Sequence, residues 1–144
     1  MFTDRQSLKT FLTAGTATLT VKSLKSGEHR TFRVRANENR PGSFFVDVLA
    51  GPDNTADYKY LAFLSIERLP KFKWSTEHWT AGSDLTPSGH LFRWFIENLY
   101  LGATERIFEQ AEFHHDGTCA RCGRQLTTPD SIKAGLGPVC LSKE

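Results

Sequence analysis

Hydrophobic and polar residues along this chain switch between two periods. Near the start, Leu8, Phe11 and Leu12 recur at helical spacing. Thr3-Asp4-Arg5-Gln6 precedes them as a capping box, with Gln6 reaching back to the first turn, and Gly15 follows as a stop. A short first helix is expected. The period then becomes two: Leu19 and Val21 alternate with Thr18, Thr20 and Lys22, while Phe32 and Val34 alternate with Thr31, Arg33 and Arg35. The turn-forming SLKSGEH between them makes an antiparallel hairpin. SFFVDVL and YKYLAFLSI give two further strands, joined by AGPDNTAD, a loop rich in turn formers.

Helical spacing returns at Thr86-Pro87, a cap followed by proline at the first helical position. The helix reads LFRWFIENLYLG, with Leu91, Trp94 or Phe95, Ile96 and Leu99 facing the sheet and Gly102 near its end. ERIFEQAEF alternates again and is expected to run as a strand toward a cysteine cluster. KFKWSTEHW, residues 71 to 79, carries neither period clearly and is expected to be a loop. The fold class is therefore α+β: a small, mostly antiparallel sheet with one long packing helix over residues 1–108, followed by a C-terminal module over 109–144.

That module holds every cysteine of the chain: Cys119 and Cys122 as a Cys-x-x-Cys pair, and Cys140 after seventeen intervening residues. A Cys-x-x-Cys turn closing on Gly123 aims two sulfurs at one point, as in a zinc knuckle. Structural zinc takes four ligands and accepts Cys3His sets. FHHDGTC supplies His114 and His115 just before the pair, and adjacent strand residues point to opposite faces, so only one faces the metal easily. We favour His115, with Asp116 and Gly117 as turn formers bringing it back to Cys119. TPDSIKAGLGP fits a short helix capped by Thr128 or Asp130, burying Ile132 and ending at Gly135, with Pro138 opening a second helix that carries Cys140. A knuckle, a small helix and a ligand at a second helix start make a treble-clef-like zinc module. Leu126, Ile132, Leu136, Val139 and Leu141 are too few for a core, so Zn2+ must supply much of the folding free energy. Three thiolates around Zn2+ leave an excess negative charge that Arg121 and Arg124 can shield. A catalytic zinc is not expected. The chain has no His-x-Glu and no His-Glu-x-x-His, and a Cys3His set leaves no position for water.

The segment CARCGRQLTTPDSIKAGLGPVC resembles the cysteine motif of the domain of unknown function 6011 family. The match covers Cys119, Cys122, Gly123, Arg124, Leu126, Thr127, Pro129, Ser131, Ile132, Gly135, Gly137, Pro138 and Cys140. A histidine just ahead of the first cysteine also belongs to that pattern, which supports His115. FLTAGTATLT, RTFRVRA and FFVDVLAGPDNTADYKYLAFL are similar to a companion domain that precedes the motif in relatives. The resemblance implies zinc and an origin in phages or mobile elements. It implies no activity.

Composition adds limits more than direction. The 144 residues are 39% hydrophobic and 24% charged, ordinary for a soluble globular protein, and the net charge of +2 names no partner. No apolar run is long enough to span a membrane. MFTDRQSLKTFLTAG lacks the parts of a signal peptide, so a cytoplasmic protein is expected, of the host cell if phage-encoded. In that compartment three clustered cysteines point to metal binding, and not to disulfides.

Two stretches offer binding chemistry. Residues 22–40 carry Lys22, Lys25, Arg30, Arg33, Arg35 and Arg40 against Glu28 and Glu38, and alternation sets Arg33, Arg35 and Lys22 on one sheet face as a phosphate-binding strip. In 71–79, Lys71, Lys73 and His78 interleave with Phe72, Trp74 and Trp79, a mixture that grips phosphates and stacks on bases, or covers a core edge. Asp53 and Asp57 read as turn residues, and no phosphate loop, dinucleotide fingerprint or nucleophile elbow occurs. The expected function is binding more than catalysis: DNA, RNA or a nucleic-acid-handling complex first, inhibition of a host defence or transcription protein second, and a small hydrolase or nuclease third.

Overall fold

A computed structural model of the chain describes residues 1–51, 57–77, 79, 82–102, 105–121, 125–126 and 135–136. The first helix, α1 (Arg5–Leu12), is capped by Asp4, whose carboxylate accepts from the Ser7 amide at 2.8 Å. The cap expected at Thr3 is thus displaced by one residue. An aspartate there also places negative charge at the positive end of the helix. Leu8, Phe11 and Leu12 are buried, as their spacing requires.

Six strands follow the period-two signal: β1 (Thr16–Ser23), β2 (His29–Ala36), β3 (Ser43–Leu49), β4 (Tyr58–Ser65), β5 (Lys71–Trp74) and β6 (Ala111–His115). They form one sheet in the order β5-β4-β3-β2-β1-β6, every neighbour antiparallel. Five strands meander outward from β1, and the sixth returns to pair with the other side of β1. The architecture is α+β, with a six-stranded antiparallel sheet and a long helix against it.

That helix, α2 (Pro87–Leu101), starts as expected: the Thr86 hydroxyl accepts from the Gly89 amide at 3.0 Å and Pro87 takes the first position. Its buried residues are Gly89, Phe92, Phe95, Ile96 and Leu99. Phe92 falls outside the expected stripe yet is central. Its ring lies 5.0 Å from Phe32 on β2 and 6.2 Å from Phe72 on β5, while Phe95 lies 5.0 Å from Phe113 on β6. One helix therefore spans the sheet from edge to edge. Full burial of each such side chain contributes about 2 kcal/mol of transfer free energy.

Two expectations fail. KFKW is an edge strand and not a loop, because Phe72 and Trp74 stack at 4.8 Å on the helix side while Lys71 and Lys73 take the opposite face. Four residues are too few for alternation to register. ERIFEQAEF is a strand only at its end: Ile107–Gln110 form a helical turn, α3, which buries Ile107 and sets Phe108 edge-on to Phe113 at 5.5 Å.

The sheet has one buried face and one open face. Ala17, Leu19, Val21, Phe32, Val34, Phe44, Val46, Val48, Ala62, Leu64 and Phe113 point toward the helices and are buried. Among the described residues, the ring contacts from the helices reach this side only. The pairing of β3 with β4 shifts between Val46 and Asp47: Val46 faces Ala62, but Asp47 faces Tyr60. The extra residue, Leu61, is buried together with Ala62. This bulge turns Tyr58 and Tyr60 onto the face that carries Phe63. Among the described residues no helix is long and apolar enough to cross a membrane.

Candidate functional site

The chain leaves β6 through a tight turn built by its own side chains. Asp116 Oδ1 accepts from the Thr118 amide at 3.0 Å and from its hydroxyl at 2.6 Å, and Gly117 adopts φ +89°, a conformation that side chains with a Cβ resist. Thr118 then bridges Gln125, and the Leu126 amide donates to the Gly117 carbonyl at 2.9 Å. Thr118 and Gln125 thus run antiparallel on either side of the Cys-x-x-Cys pair. Cys119 is buried, and its Sγ accepts from the Arg121 amide at 3.4 Å.

The turn is pinned to the domain from two sides. The Ala120 carbonyl accepts from the Thr16 amide at 2.6 Å, and the Ala120 amide donates to the Gly135 carbonyl at 2.9 Å. Gly135 packs on the Phe11 and Phe2 rings at φ +72°, and Cys119, Ala120, Leu126 and Leu136 join the buried cluster of the sheet.

Strand alternation separates the two histidines. His115 lies on the helix side, its ring 5.9 Å from both Phe2 and Phe11, and its Nδ1 accepts from the Gly117 amide at 2.9 Å. His114 lies on the open face with Nε2 3.0 Å from Glu112 Oε1, a contact that lowers the Glu112 pKa. Only His115 shares a side with buried Cys119. The Gly117 amide occupies the Nδ1 lone pair, so a metal at this histidine would be met through Nε2. A buried thiol with an N–H donor and this histidine fit a thiolate-rich zinc set. Cys122 and Cys140, the other two expected ligands, lie outside the described residues, as do Arg124 and the expected helix over 128–134. Among the described residues no three His, Cys, Asp or Glu side chains come together.

The open face of the sheet gathers the expected cations. Lys22, Arg33, Arg35, Lys71 and Lys73 all project from it. Trp74 does not: it faces the helix side, where Arg93 of α2 lies 5.1 Å from its ring. Trp79 packs against the core with its indole N–H donating to the Tyr60 carbonyl at 3.2 Å, and His78 lies outside the described residues.

Between the cations stand four aromatic residues: Phe45, Tyr58, Tyr60 and Phe63. Phe45 meets Phe63 edge-on at 5.4 Å and Tyr60 at 6.4 Å. The Arg33 guanidinium lies 4.2 Å from the Tyr58 ring centre, and that of Arg35 5.5 Å from Phe45. At the centre Asp47, its side chain only 5% exposed, accepts from Arg33 Nε at 3.2 Å, Arg35 Nε at 2.8 Å and Arg35 Nη2 at 3.2 Å. One buried carboxylate holds two guanidinium groups beside the rings. Partial burial raises the pKa of both tyrosines, with Arg33 opposing the rise at Tyr58 and Asp47 adding to it at Tyr60. Tyr58 and Tyr60 could not be placed on this face in advance, because the bulge is not written in the alternation of YKYLAFL. SFFVDVL did carry a signal, since Phe45 must share a face with Asp47.

An α+β sheet domain with a cysteine-bearing turn at its last strand is the class these features define. Residues 109–144 match the model of one family, described as Family of unknown function (DUF6011), in agreement with the cysteine-motif resemblance. No curated protein and no solved structure matches the chain.

Proposed function

We propose that this chain is a non-enzymatic, zinc-containing binding protein whose open sheet face binds nucleic acid, either directly or within a nucleic-acid-handling complex. The observation that carries the reading is the gathering of Lys22, Arg33, Arg35, Lys71 and Lys73 on one sheet face, interleaved with aromatic rings. Cations neutralise phosphates, while rings offer surfaces for bases. Within the reading, Cys119, Cys122, Cys140 and His115 hold Zn2+ in a treble-clef-like module. The metal serves there as a structural staple that fixes a segment with few core residues of its own. The buried Cys119, whose sulfur accepts from the Arg121 amide, supports this. The origin in phages or mobile elements that the cysteine-motif resemblance implies would make it a phage-derived protein acting in a host cytoplasm.

The test is a salt series of binding with Lys71→Ala plus Lys73→Ala, a pair that leaves the core untouched. Affinity should fall about tenfold, and the slope of log K against log salt should drop by about two phosphate contacts. An unchanged slope sinks the assignment of this face. A host protein that co-purifies stoichiometrically and resists nuclease, in a chain with no nucleic-acid affinity, would assign the face to a protein partner instead.

A further inference from the structure

The open face carries more than charge, and its pattern separates one kind of nucleic acid from another. A solvent-facing side of an antiparallel sheet ordinarily alternates to polar residues. Here Phe45, Tyr58, Tyr60 and Phe63 occupy it, and all four remain partly exposed. Two of them are there only because of the bulge beside Asp47. Paired registers place Lys73, Phe63, Phe45 and Arg35 side by side across β5, β4, β3 and β2. At the usual strand spacing that row measures about 14 Å, a cation at each end and two rings between. Beside it, Arg40, Tyr60, Phe63, Lys73, Thr76 and Glu77 line an open depression of about 600 Å³.

We propose that this face takes single-stranded nucleic acid, with unpaired bases stacked on Tyr60 and Phe63 in the depression and phosphates held by Lys73 and Arg40. The inference rests on the nucleic-acid reading above and narrows it. A duplex offers its phosphates but keeps its bases stacked inside, so the rings would gain nothing from it; a single strand satisfies both groups. The arginines complete the pattern, because Asp47 fixes their guanidinium groups beside Tyr58 and Phe45. The cations lie where the backbone of such a strand would pass. Of the six cations on and around the face, Lys71, Lys73 and Arg40 cluster at the β4–β5 side, where the depression opens.

The experiment measures fluorescence anisotropy of labelled twelve-nucleotide oligo(dT), oligo(U) and a twelve-base-pair duplex with the full-length, zinc-loaded chain. Tyr60→Leu and Phe63→Leu keep apolar bulk while removing the ring, and a melting curve checks each fold. At least tenfold preference for a single strand over duplex is expected. Each Leu variant should weaken single-strand binding about tenfold with the salt slope unchanged, whereas Lys73→Ala should lower that slope by about one. The two single-stranded probes report whether the sugar matters. Equal affinity for duplex, or Leu variants that bind like the parent, overturns the inference while leaving the broader reading standing. No binding to any probe at low salt overturns both.

Discussion

Asp47 is the residue on which the open face depends, and its removal gives a sharp test. Its carboxylate is 5% exposed and accepts three hydrogen bonds from two guanidinium groups whose side chains are 31% and 43% exposed. Charge-assisted bonds contribute about 1.5–3 kcal/mol each. The arginines can recover water once released, which discounts the total. Asp47→Ala should therefore cost about 2–3 kcal/mol, and lower the melting temperature by about 8 °C for a chain of this size. Arg35→Ala should cost only about 1 kcal/mol, since Arg33 still faces the carboxylate. In the Asp47→Ala background the Arg35→Ala change should cost nothing, or gain slightly from relieved repulsion. The double-mutant cycle, followed by urea unfolding, should return a coupling of about 1–2 kcal/mol. A cost below 0.5 kcal/mol for Asp47→Ala, on the ~1 kcal/mol scale of such effects, or additive single changes, would refute this account. Arg33→Glu plus Arg35→Glu would surround a buried carboxylate with two more. That pair tests folding before it tests binding, which is why the lysines are the better probes of the surface.

Other outcomes follow from local geometry. Gly89→Ala should destabilise by about 2 kcal/mol despite the ~1 kcal/mol helix-propensity gain, because the added Cβ would meet Ser83 C at 2.9 Å and Asp84 Cα at 3.0 Å; thermal melting gives the sign. Thr86→Ala should cost about 1 kcal/mol in the same assay through loss of the cap on α2. Metal analysis of tag-free protein should find one zinc per chain, lost in Cys119→Ser, and a finding of no zinc in the parent would remove the metal from the proposal. Burial pushes the Tyr100 hydroxyl up to about 12, so its contribution to stability is full below pH 10 and is lost as pH rises through 10 to 12. Ultraviolet titration should show all three tyrosines ionising above the ordinary value with one of them last, and Tyr100→Phe should remove that last step and flatten the alkaline fall in stability.

Most of the framework was legible because it obeys long, clean periods. SFFVDVL begins and ends as β3 does, and Thr86-Pro87 marks the start of α2 to the residue. What failed lay where tertiary contacts overrule short patterns. Phe72 and Trp74 make a four-residue strand only because α2 waits on one side of them. Ile107 and Phe108 wind into a turn because both then reach the core near Phe113. At the candidate site the cations could be counted in advance, since Arg33 and Arg35 alternate visibly with Phe32 and Val34. Their neutralisation by Asp47, and the aromatic residues among them, required knowing which strands pair and where β4 gains a residue.

The return of β6 to the side of β1 also sets an order of assembly. Each of the first five strands pairs with the one just synthesised, across short connections. The pairing of Ser23 with Ala111 must wait for the rest of the chain. Were the intervening segment still unstructured, closing it would cost about 2.5 kcal/mol more entropy than closing a hairpin. Until then β1 leaves the ribosome with an unpaired flank, the kind of flank that recruits other chains. The strand that covers it is continuous with the cysteine-bearing turn, and Ala120 fastens that turn to Thr16 at the head of β1. Completion of the sheet and settling of the cysteine segment are therefore one late step, and truncation before residue 111 should yield an aggregating product, not a smaller stable domain.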